Sequence, residues 1–206
     1  MVLLLSPFAA HLSPLSAHND TEAAKPKKDS IYNSTQIKLD ILSPVLTSGL
    51  NNWRLQHYEM AVNVQLARRF FPTLELGYGG GKTSRADTIS YSGQGGFMRV
   101  GCDINPLKRN PNSPHAMLVG LRVGTAAQQW SHPSHGTGGF RADCWGEVVA
   151  GCQVEIAKVN KTAFYMGWMG RIKFLFTRKD APLYIPGYGT NDNISWGVNY
   201  YLGWRF

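Results

Sequence analysis

The sequence predicts an all-β protein, an eight-stranded antiparallel transmembrane β-barrel with a filled polar lumen, and three observations carry that expectation. From Ile37 to Phe206 apolar and polar residues alternate in period two, which sends successive side chains to opposite faces of a strand. The apolar row carries no charge in the last seven segments, whereas the other row is rich in glycine and ionisable groups. No stretch reaches the ~18 consecutive apolar residues of a spanning helix, while the alternating segments match the about 9–11 residues of a spanning strand.

Each element follows from this alternation. Segment 37–47 sets Ile37, Leu39 and Ile41 against Lys38, Asp40 and Leu42, then loses register near Pro44, where a bulge or edge distortion is expected. Segment 59–66 sets Met60, Val62, Val64 and Leu66 against Glu59 and Asn63; segment 73–79 sets Leu74, Leu76 and Tyr78 against Glu75. In 97–104 Met98, Val100 and Ile104 oppose Arg99 and Asp103, and in 115–125 Val119, Leu121 and Val123 oppose Arg122. Segment 147–156 sets Val148, Val154 and Ile156 against Glu147 and Glu155. Segment 163–174 sets Phe164, Trp168 and Ile172 against Arg171 and Lys173. The last, 194–206, alternates without a break, with Ile194, Trp196, Val198, Tyr200, Leu202, Trp204 and Phe206 on one face and Asn199 and Arg205 on the other.

Closure into a barrel follows because hydrocarbon tolerates no open sheet edge, and eight strands make the smallest closed membrane barrel. Links 67–71, 105–114 and 157–161 are short or moderate; links 48–56, 80–96, 126–145 and 177–195 are mostly longer. Long links belong outside, which places both chain ends in the periplasm. So narrow a barrel is filled by its own side chains. Its predicted lining contains Asp40, Glu59, Glu75, Asp103, Glu147 and Glu155 with Lys38, Arg99, Arg122, Arg171, Lys173 and Arg205. Signs balance, as buried charges require, and the expected result is an interlocked plug. Trp53, Tyr58, Tyr78, Trp130, Trp145 and Tyr184 are expected as an outer aromatic belt, and Phe70, Phe71, Phe164, Trp204 and Phe206 as a periplasmic one.

Other classes find less support. The charge of +8 is dispersed, with none of the spacings of a nucleic-acid-binding module, so no nucleic-acid partner is expected. Cys102, Cys144 and Cys152 form no metal-ligand spacing, and neither a metal nor a cofactor is expected. Gly79 to Thr83 lacks the spacing of a phosphate loop. His115, His132 and His135 with Ser113, Ser131 and Ser134 leave a lipid hydrolase open as a rival, without an obvious acidic orienter. The segment 180–197, with two prolines and several turn residues, reads as a compact lid over the extracellular mouth. Residues 1–17 read as an export signal lacking its positive start, 18–36 as a flexible periplasmic lead-in and 37–206 as the barrel.

The pieces RRFFPTLELGYG (68–79), MRVGCDIN (98–105), VGLRVG (119–124), WGEVVAG (145–151), MGWMGR (166–171), YIPGYG (184–189) and SWGVNY (195–200) resemble those of small outer-membrane barrels of uncharacterised function from Bacteroidota. The alternating end Tyr200, Leu202, Trp204 and Phe206 resembles the signal by which the barrel-assembly machinery recognises its clients. The resemblance implies a bacterial outer-membrane location among lipid and lipopolysaccharide, insertion by that machinery, and a non-enzymatic role. That role is a structural or accessory subunit of an envelope complex, the assembly machinery included, with a stable envelope-protein partner. A lipid- or lipopolysaccharide-modifying enzyme and a narrow channel stand as alternatives.

Overall fold

The computed structural model describes residues 32–43, 53–66, 69–85, 89–107, 115–132, 136–177 and 183–206. Its strands are β1 (Tyr32–Asp40), β2 (Trp53–Leu66), β3 (Phe70–Arg85), β4 (Ile89–Ile104), β5 (Ala116–His132), β6 (Gly136–Val159), β7 (Thr162–Leu175), β8 (Tyr184–Ile185), β9 (Gly189–Thr190) and β10 (Ile194–Arg205). Eight of them form a closed antiparallel barrel in the order β1-β10-β7-β6-β5-β4-β3-β2, and β8 and β9 form a separate two-stranded hairpin. Closure runs through β1, which pairs with β10 from Gln36↔Arg205 to Asp40↔Tyr201 and with β2 up to Leu39↔Met60.

Alternation sorts the side chains as the strand period demands, but with the polarity of a water-soluble core reversed. Leu121 and Val123 on the outer wall are 67% and 63% exposed, whereas Arg99 and Asp103 on the inner wall are 1% and 0% exposed. Inside, the filling is layered. Phe71, Leu118, Val149, Tyr165, Met169 and Tyr201 pack near the end that carries the two chain ends of the barrel. Phe97, Ala126, Trp145, Ile185 and Tyr188 pack at the opposite mouth, and the charged side chains lie between these layers. Small residues let the aromatics in. A Cβ on Gly124 would lie 2.3 Å from the Trp145 ring, and one on Gly203 would lie 2.3 Å from the Tyr165 ring.

Several expectations need correction. β1 begins at Tyr32, inside the expected lead-in, because Ser34 and Gln36 continue its inward polar row. The long links 80–96 and 126–145 are largely strand, paired up to Arg85↔Ile89 and His132↔Gly136. Their sequences hide this, since glycine and polar residues occupy both faces and backbone pairing needs no apolar alternation. Register shifts lie at Tyr32/Ser34, Gln128/Trp130 and Glu155/Ala157; Pro44 lies outside the described residues. Phe71, Trp145 and Tyr184 face inward and are buried, not in aromatic belts, whereas Tyr58, Tyr78, Phe70, Phe164 and Phe206 are exposed on the outer side.

Candidate functional site

Strand register assembles the centre of the lumen. Glu75 on β3 stands opposite Arg99 on β4, Arg122 on β5 opposite Glu147 on β6, and Glu147 opposite Lys173 on β7. Each of these strands sends every second residue inward, so the charges meet in one layer. Arg171 Nη1 donates to Glu75 at 2.9 Å and to Glu147 at 3.0 Å, and its Nη2 reaches Glu59 at 3.1 Å. Arg99 pairs with Glu59, Glu75 and Glu147, each at 2.9 Å. Arg122 pairs with Glu75 and, at 2.9 Å, with Asp103. Glu75 therefore accepts from three guanidiniums whose strands are far apart in sequence.

The remaining expected lumen residues divide into an inner and an outer group. Asp40 accepts from Asn199 Nδ2 at the margin of the network. Glu155 pairs with Arg205 near the end that carries the two chain ends of the barrel, apart from the central layer and partly exposed. Lys38 is buried, with its Nζ 4.7 Å over the Tyr201 ring and no hydrogen-bond acceptor among the described residues. Tyr200, Leu202 and Phe206 lie exposed on the outer side of β10, and Trp204 is half-buried beside them.

Uncharged groups complete the layer: Asn63 and Asn199 from the inward row that the alternation predicts, and Trp145, which the sequence assigns to an aromatic belt. Asn199 Oδ1 accepts from Arg171 Nε at 2.5 Å, Trp145 Nε1 donates to Glu147 at 2.6 Å, and Asn63 Nδ2 donates to Thr73 at 2.8 Å. Asp143, at the mouth, accepts from Gln128 Nε2, Arg141 Nε and Thr177 Oγ1. Continuing the alternation of β6 four residues before Glu147 would have found it.

The expected lid is a short hairpin seated in the mouth. Residues 184–188 are all buried, and Gly187, with φ of 76°, makes the turn; a Cβ there would strike Phe97 at 2.5 Å. Two lumen cations hold it from below. Arg99 Nη2 donates to Gly187 O at 2.7 Å, and Lys173 Nζ donates to Gly187 O at 2.8 Å and Tyr188 O at 3.0 Å. Tyr91 Oη donates to Tyr184 O at 3.1 Å from the side. Burial pushes the Tyr184 phenol up to about 12.

Chemically this arrangement neutralises charge and fills space. Asp40, His57 and Glu59 bring potential ligand atoms within 4.8 Å of one another. Yet Glu59 is already paired with Arg99 and Arg171, and Asp40 accepts from Leu42 N and Ser43 N as well as Asn199, so little negative charge is left for a cation. His115 precedes β5, whereas Ser131 and His132 lie at its far end, so β5 separates rather than joins them. Ser113, Ser134 and His135 lie outside the described residues. Gly79 to Thr83 is part of β3. Cys102, Cys144 and Cys152 are free.

A family model described as a domain of unknown function (DUF6048) matches residues 1–205. Comparison with curated proteins gives no match.

Proposed function

The chain belongs to the DUF6048 family, and from that premise we propose that it is a bacterial outer-membrane β-barrel with a sealed lumen, acting non-enzymatically as a structural or accessory subunit of an envelope complex. One observation carries the reading. The barrel wears its apolar residues outside, uncharged across the middle of every strand, and keeps its ionised residues within. In water that distribution would leave a large apolar surface uncovered; in a bilayer it places every side chain in a favourable medium.

The sealed lumen supports a role other than conduction or catalysis. Glu59, Glu75, Asp103 and Glu147 are each occupied by guanidiniums, and the mouth holds the 184–190 hairpin, tied down by Arg99 and Lys173. What remains available to a partner is the outer wall and the rim. The test combines fractionation with mild extraction. The protein is expected in the outer-membrane fraction, with a stoichiometric protein partner retained in gentle detergent and no discrete conductance in a planar bilayer. A purified barrel that deacylates lipid, or one that conducts, would overturn the accessory role.

A further inference from the structure

Antiparallel closure gathers at one end of the barrel charges that lie far apart in the sequence. The links β2–β3, β4–β5 and β6–β7 all turn at the end that carries Tyr32 of β1 and Arg205 of β10. Segments 67–70, 105–115 and 157–162 of these links hold Arg68, Arg69, Lys108, Arg109, Lys158 and Lys161, and no Asp or Glu. The links at the opposite end mix the signs, with Asp87, Asp143, Asp180 and Asp192 among their cations. Residues 18–31, which precede β1 in sequence, bring Asp20, Glu22 and Asp29 against Lys25, Lys27 and Lys28 and so add no net charge. One end of the barrel is therefore a collar of excess positive charge.

These cations are not spent within the fold. Glu155, just before the third turn, is taken by Arg205, and no described carboxylate pairs with Arg69, Lys158 or Lys161, all of which are exposed. The backbone that carries them is tied down. Asn105 N donates to Arg69 O at 3.0 Å, which joins the first two turns, and Asn160, with φ of 55°, closes the third between Val159 and Thr162. Directly inside the collar the outer wall is apolar and aromatic. Phe70 follows Arg69, Ile156 lies two residues before Lys158, and Phe164 lies three after Lys161, with Trp204 edge-on to Phe164 at 6.3 Å. At ~3.3 Å per residue these cations stand within about 10 Å of the last apolar side chain of their strand. That is the depth at which headgroup phosphates border hydrocarbon.

We propose that this collar binds the headgroup phosphates of anionic phospholipid in the leaflet that meets the turns, so that the barrel holds a selected lipid shell at one end. An acidic protein face would answer the charge alone. A phospholipid answers both features at once, its phosphate meeting the cations and its acyl chains the belt directly inside them. The distribution favours lipid as well, since the six cations come from three turns spaced around the rim and not from one patch. The inference rests on the membrane reading and names the lipid class that the barrel selects.

The test is quenching of tryptophan fluorescence by brominated phospholipids, on the full chain inserted in phosphatidylcholine vesicles, with Trp204 as the tryptophan nearest the collar. Brominated phosphatidylglycerol is expected to bind about fivefold more tightly than brominated phosphatidylcholine, the ratio that one added contact between a cation and an anionic headgroup brings. Arg69→Gln with Lys158→Gln and Lys161→Gln should bring that ratio below about twofold. Lys82→Gln with Arg178→Gln and Lys179→Gln removes the same charge at the opposite end and should leave the ratio unchanged. If the first triple variant fails to insert, salt of about 1 M, which screens exposed charges beyond ~3 Å, should collapse the ratio of the unsubstituted chain. A ratio near one in that chain, equal losses in the two triple variants, or a ratio that survives both the first triple variant and high salt would overturn the proposal, whatever acidic protein the turns capture. Insertion, read as protease resistance of the barrel, separates the two readings. A chain that inserts without lipid preference sinks the collar alone, and one that never inserts sinks the membrane reading with it.

Discussion

Glu75 shows how much of this molecule rests on single side chains. Its carboxylate faces Arg99, Arg122 and Arg171 in a layer shut off from water, so Glu75→Gln leaves three guanidiniums short of an anion. Breaking a buried ion pair from one side typically costs about 3–5 kcal/mol. A loss of that size is expected in the urea midpoint for unfolding from lipid vesicles, whereas Glu155→Gln, at the part-exposed pair with Arg205, should cost no more than about 1 kcal/mol. Equal losses would refute the central role of Glu75. On the outer face, Leu202→Arg should cost about 2–4 kcal/mol in the same measurement if that face meets hydrocarbon. The alternation alone suggests that Asn199→Arg would be milder. Its bonds to Arg171 and Asp40 say otherwise, because a new cation there would displace both contacts.

Among the elements, the hairpin of β8 and β9 makes the sharpest predictions. Lys173→Met withdraws the ammonium that binds the Gly187 and Tyr188 carbonyls. Cleavage by added protease within 183–193 should then accelerate while the barrel remains intact; unchanged cleavage would show that apolar packing alone holds the hairpin. Alkali offers a second handle. The Tyr184 phenol has its folded value raised to about 12 from an ordinary 10.0 by burial. Its contribution is thus fully present below pH 10 and is lost as pH rises toward 12. Hairpin release should follow that window, and Tyr184→Phe should flatten it. Elements were legible in the sequence to the degree that lipid-like and polar faces contrast. β7 and β10 stand out because bulky apolar residues face charges, glycines or polar groups at most steps. The outer halves of β3 to β6 do not, since residues such as Gly80, Gln94 and Gln128 offer no contrast to read. Inward charges and the inward position of Asn199 were readable for the same reason, whereas the burial of Trp145 and the partners of both were not, because these depend on which neighbour a given register supplies.

At the scale of the whole molecule, the filled lumen sets what crosses it. Three layers lie in series along the axis, the Phe71–Tyr201 cluster, the ionic layer and the capped mouth. Removing the hairpin residues 184–190 is therefore not expected to create discrete conductance in a planar bilayer, because the two lower layers remain. Steps appearing after that deletion would show that the hairpin alone is the barrier.

The ties of Glu75 also bear on how the chain reaches this state. Its partners Arg99, Arg122 and Arg171 lie 24, 47 and 96 residues further along. A nascent hairpin of β3 and β4 satisfies one of these; the last awaits β7, and Asn199, which orients Arg171, awaits β10. Until the final seam zips, unmatched ions need water beside them. The order of events is thereby constrained: hydration of the interior persists through the early pairings and drains in a single late event, which favours all-or-none maturation over gradual accretion.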